Sequence, residues 1–200
     1  MKTKFASVVA IATLGYSAVV YAELPISVDA RTLDISGIKA GMGFDETKAA
    51  LAKHFSTSPL SIKVDPYPQS NPITETKLPS YLSYEKGNER LIVHFEPRIP
   101  VDPSNPQVVS QITYEIPWTQ ENEKAMADAA IRKYGPPSNG TNGVTLQWCE
   151  SPSPNLGMGC SVNNPAVLTV SSTKVQFVDR ERIDARVAAM RKAESVSPGF

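Results

Sequence analysis

His54 and His94 are the only imidazoles in the chain, so a histidine-based acid, base or metal site has to be built on one of them. Neither stands in an H-x-x-x-H or H-E-x-x-H spacing, and no acid sits at ligand spacing from either. His54 falls near the end of a helical pattern, where a protonated ring favours the carbonyl end. His94 falls on the solvent side of a strand pattern. Ser171-Ser172-Thr173-Lys174 matches S-x-x-K, the nucleophile and base of penicillin-recognising enzymes. That chemistry needs the serine at a helix start with the lysine one turn on. Here the four residues read as a turn between two strands, and neither S-D-N nor K-T-G accompanies them. Gly41-x-Gly43 and the glycines from 135 to 143 lack the spacing of phosphate loops. Asn139-Gly140-Thr141 is a glycosylation sequon that matters only in a eukaryotic host. A glycosidase carboxylate pair is assembled in space and leaves no spacing to find. The expectation is no catalytic, cofactor-binding or metal-binding residue.

The two cysteines, Cys149 and Cys160, are better placed for structure than for reactivity. They lack the C-x-x-C spacing that depresses a thiol pKa, and the ESPSPNLGMG between them is rich in turn formers. Residues 1–22 supply the oxidising compartment that a disulfide needs. Lys2 and Lys4 precede an apolar stretch from Phe5 to Val20, and Val20-Tyr21-Ala22 is a small–x–small cleavage pattern. Gly15 and several Ser and Thr make this stretch a poor membrane anchor. Cleavage after Ala22 into a bacterial periplasm or medium is expected, with Cys149 bonded to Cys160. The 200 residues carry 20 basic and 20 acidic side chains, which argues against a nucleic-acid binder built on a broad basic surface. No second long apolar run suggests membrane insertion.

Around these residues the chain divides into alternating patterns. Phe44, Leu51 and Phe55 share one stripe of a helix expected over 44–55, with Gly43 at the cap and Glu46 three residues on. Nine prolines between Ser56 and Pro106 exclude helix there. Strand patterns remain at 61–65, 80–84, 90–96 and 108–116, the last three forming an antiparallel meander. A second helix runs from a Thr119 cap to Tyr134 and stops at Gly135-Pro136-Pro137. Strands over 144–149, 166–171 and 174–178 follow, then an amphipathic helix from an Asp179 cap to about Ala193. Arg180, Arg182, Arg186, Arg191 and Lys192 interleave with acids and read as a solvated face. The fold class is α+β: one helix-plus-meander unit over 23–118, a second with the terminal helix over 119–194, and a loose tail at 195–200. The two units either share one sheet or stand as two lobes. Tyr81, Tyr84 and Trp118 lie near strand ends, where a binding surface places rigid anchors.

Gly41-Met42-Gly43-Phe44-Asp45-Glu46, leading into Ala50-Leu51, resembles the G-M-[ST]-x-x-[EQ]-x-x-x-x-L opening of small exported modules. Outer-membrane assembly lipoproteins of the SmpA/OmlA type and β-lactamase-inhibitory-protein-like folds share it. Lys133-Tyr134-Gly135-Pro136-Pro137, followed by a strand with Trp148-Cys149, resembles a set of exported proteobacterial proteins. Gly43 replaces the usual Ser or Thr, and the lipobox cysteine of the assembly lipoproteins is missing. The resemblance implies a fold type and a protein-binding habit, with no catalytic residues. The expected function is a periplasmic, non-enzymatic module that binds another exported or envelope protein. One version is an inhibitor or immunity-type protein against a hydrolase or toxin; the alternative class is a cell-envelope or glycan hydrolase.

Overall fold

Gly43 is where extended backbone turns into the first helix, α1 (Phe44–His54). Its N–H donates to the Glu46 carboxylate at 3.4 Å, and Thr47 Oγ1 donates to its carbonyl at 2.7 Å. Space, not conformation, keeps a side chain out of this cap. The φ of −76° suits any residue, but a Cβ would stand 2.5 Å from the Asn105 amide. The helix stripe is the expected one: Leu51 is fully buried, Phe44 packs on Phe95 and Phe55 on Tyr84. The computed structural model describes residues 26–140, 145–153, 159–160 and 163–196. The expected leader (1–22), Thr141 of the sequon and the end of the tail lie outside them.

The proline-rich stretch, expected to exclude helix, holds one 3-10 turn over Pro59–Ser61, where Ser58 Oγ accepts from Leu60 N. Strand β1 (Lys63–Val64) and a small hairpin of β2 (Ser70–Asn71) and β3 (Thr76–Lys77) follow before the meander begins. Alternating side chains then build β4 (Tyr81–Lys86), β5 (Glu89–Pro97) and β6 (Gln107–Glu115). Helix α2 (Gln120–Tyr134) starts where Thr119 Oγ1 accepts from Asn122 N, and ends at Gly135 with φ of 82°, a conformation that favours glycine. Strands β7 (Leu146–Cys149), β8 (Ala166–Ser171) and β9 (Lys174–Asp179) follow, then α3 (Arg180–Val196). Asp179 ends β9 and caps α3 by accepting from Arg182 N at 3.2 Å and Arg182 Nε at 3.1 Å.

The strands form one antiparallel seven-stranded sheet in the order β1-β4-β5-β6-β9-β8-β7, beside the separate β2–β3 pair. The join is β6 against β9, where Ile112 meets Phe177 and Tyr114 meets Val175. Leu82, Leu91, Val93, Ile112, Phe177, Leu168 and Trp148 point to one face and share a single buried cluster with Leu51 of α1 and Met126 and Ala130 of α2. The chain ahead of α1 crosses to the far edge, where Val28 N donates to the Cys149 carbonyl at 2.8 Å. Cys149 and Cys160 are bonded and fully buried with Val167. Among the described residues no helix is long and apolar enough to cross a membrane.

Helix α3 lies on the opposite face of the sheet from α1 and α2. None of its described residues is fully buried; Ile183, Val187 and Met190 are half-buried. It changes one expectation. His94 is not on a solvent face: α3 packs across that end of the sheet, and the ring is half-buried beneath it.

Candidate functional site

Alternation along β5 sends Leu91, Val93 and Phe95 into the core and Ile92, His94 and Glu96 to the second face. The β5–β6 ladder slips once. His94 pairs with Gln111 and Phe95 with Val109, so Ser110 is an extra residue in β6. Such a bulge re-aims side chains without breaking the sheet. Here it keeps Val109 and Ile112 together in the core while Ser110 and Gln111 both line the second face beside His94. Ser110 Oγ donates to the His94 carbonyl at 3.3 Å. Ile183, Arg186 and Met190 of α3 form the facing wall, and the excursion carrying β2 forms a third. Together they enclose a cleft of about 390 Å³, within the size range of small-ligand sites.

Among the described residues one buried polar side-chain atom lacks an aligned partner, and it belongs to this cleft. Arg186 Nε lies 2.7 Å from Glu96 Oε2, yet it is buried and its N–H is not aligned on any acceptor. Arg186 Nη1 reaches only the Met190 sulfur, at 3.4 Å. Burial pushes the Glu96 carboxyl above the usual range, against the pull of Arg186. Burial also pushes the His94 imidazole below its ordinary value, so the ring is uncharged at pH 7. Among the described residues none hydrogen-bonds to that ring; Tyr81 flanks it with centroids 6.0 Å apart. The site thus carries an ion pair with local charges balanced, a neutral imidazole, and amide and hydroxyl groups. It is equipped to exchange hydrogen bonds with a bound molecule.

The other residues singled out by type lie apart from the cleft. His54 ends α1 in an exposed position, edge-on to Phe55. Ser171 and Lys174 are paired across the turn Ser172-Thr173 between β8 and β9, a placement with no helical turn to set lysine over serine. The Asn139 amide donates to Gln147 Oε1 at 3.0 Å, and its backbone bridges to Gln147. Tyr84 belongs to the core, while Trp118 is 67% exposed and donates to Glu123. Arg182 and Arg186 leave the solvated face expected of them, one drawn onto the buried Asp179 and the other onto Glu96. Ser110 and Gln111 had no sequence signal, because a bulge is a property of pairing register. Among the described residues no three His, Cys, Asp or Glu side chains are grouped to hold a metal ion. No protein-family model, curated protein or solved structure matches this chain.

Proposed function

We propose that the chain is an exported, non-enzymatic protein that binds another exported or envelope protein through the part of the second sheet face that α3 leaves uncovered. The observation that carries this reading is a row of side chains crossing five strands in register, Ser83, Ile92, Thr113, Gln176 and Thr169; the row ends at Gln147, whose side chain is taken up by Asn139 and Cys160 N. Ser83 is buried and the others are half-buried. The next row carries alternating charge, with Arg90, Glu115 and Lys174 side by side and Glu85 paired to Lys63. A rigid polar platform of this kind loses little conformational freedom on binding. The leader-like residues 1–22 and the Cys149–Cys160 bond support the exported setting.

A photo-crosslinking residue placed at Thr113 or Gln176 tests the reading in periplasmic extract. The expected result is one protein partner captured at both positions, and lost when Thr169→Arg is added. Capture of nothing at either position, or turnover of peptidoglycan by the purified protein, overturns it.

A further inference from the structure

We infer that the cleft between α3, β5 and β6 is a binding site for an uncharged saccharide, held by the Gln111 amide, the His94 ring and the Arg186 guanidinium. The Arg186 guanidinium is short of aligned acceptors. A guanidinium carries five N–H donors, and the described partners of this one are a misaligned carboxylate and a thioether sulfur. No described residue bonds to the His94 ring, and none to the Gln111 side chain, although all three border the same cleft. The His94 ring and the Gln111 amide are not committed to protein partners, so they can bond a ligand that donates and accepts at several points.

Charge narrows the class. An anion drawn to Arg186 meets Glu96 2.7 Å away, and a cation drawn to Glu96 meets Arg186. The burial-depressed imidazole adds no charge at neutral pH. A purely apolar ligand would leave the donors unmet. Addition of a peptide strand to β5 or β6 is closed off, because both are interior strands bonded on both sides. Hydroxyls are donors and acceptors at once, so vicinal hydroxyls can serve the guanidinium, the ring and the amide together. Ile183 and Met190 offer apolar surface to the C–H faces of a sugar ring.

The test is an NMR titration of the full protein with N,N′-diacetylchitobiose and with maltose, using glucuronic acid and glucosamine as charged controls. Saturable shifts centred on His94, Ser110, Gln111 and Arg186 are expected for at least one neutral sugar, with Kd on the order of millimolar. Gln111→Ala should weaken binding by about tenfold with the rest of the spectrum unchanged. The wild-type shift map stands by itself if that variant is disturbed. No saturable shift up to about 50 mM, shifts centred elsewhere, tighter binding of a charged sugar, or occupation of the cleft by an unstructured decapeptide instead would overturn the assignment. No partner protein enters the titration, so its failure leaves the crosslinking result standing, and the reverse holds as well.

Discussion

Replacing Gly43 by serine gives α1 the side-chain oxygen that helix caps normally use, yet in this chain it should destabilise. The Asn105 amide that a Cβ would meet is not free to swing away. Oriented to suit its neighbours, it accepts from Arg98 Nη2 at 2.8 Å and donates to the Gln107 carbonyl at 3.1 Å. Overpacking a pinned neighbour costs about 1–3 kcal/mol, more than a cap returns. Gly43→Ser should therefore lower the urea midpoint, and adding Asn105→Gly should recover most of the loss; a gain in the single variant would refute the steric account. His94 ties stability to pH. Its folded-state pKa lies below the unfolded value because burial penalises the charged ring. The unfolded chain therefore takes up the proton first, and stability is lost as pH falls from about 6.5 through the depressed folded value. Glu96, raised by burial, works in the opposite sense, as does Asp179, also raised by burial, so the informative quantity is the difference from His94→Gln. That variant should gain stability relative to wild type as pH falls from 7 to 5 in paired urea titrations. A constant difference would show that the ring is not desolvated.

At the scale of elements, most of the fold was legible because its signals are local. Proline density, alternation from Arg90 to Glu96, and the Thr119 and Asp179 caps each act over a few residues, and α1, α2 and the strands of both meanders lie close to where these signals put them. What was illegible depends on partners distant in sequence. The pairing of β6 with β9, the extra residue at Ser110 and the packing of α3 over His94 are fixed by contacts across the fold, and the cleft exists only through them. Arg186 shows the difference well: its neighbours in sequence describe a solvated helix face, whereas its neighbour in space is Glu96. Cys149 ends β7, and Cys160 N donates to Gln147 Oε1 at 3.1 Å across the disulfide-closed loop. Ser138 and Val28 hold the Cys149 backbone from outside the loop, so β7 keeps its place without the bond. Cys149→Ser with Cys160→Ser should cost about 2–4 kcal/mol, most of it through the unfolded chain. That is a fall in Tm on the order of 5–15 °C. The fold should persist, with the β4–β5–β6 amide shifts unchanged. Collapse of those shifts would show that the staple organises the whole sheet.

Across the whole molecule the two helix-plus-meander halves share one sheet and one core. Strands β6 and β9 lie in the middle of the sheet, and the core row runs through their junction from Val93 to Ile112, Phe177, Leu168 and Trp148. The chain before α1 ties the halves again. Lys133 Nζ pairs with the Asp34 carboxylate at 2.7 Å, the Tyr134 hydroxyl donates to the Asp34 carbonyl at 2.8 Å, and Arg31 pairs with Glu181 of α3. The surface ion pairs contribute little each, but Ala30, Ile35 and Ile38 of the same segment are buried in the common core. Cutting the chain between 118 and 119 would expose β6 and β9 as long apolar edges, the arrangement that most invites aggregation. Residues 23–118 and 119–196 made separately should therefore be insoluble or molten, with poor amide dispersion. The intact protein should unfold in one transition, with tryptophan fluorescence, which reports Trp148 and Trp118, coinciding with far-UV circular dichroism. Two resolved transitions, or a soluble and well-dispersed 23–118 fragment, would mean that the β6–β9 junction is a docking contact between domains rather than the centre of one core.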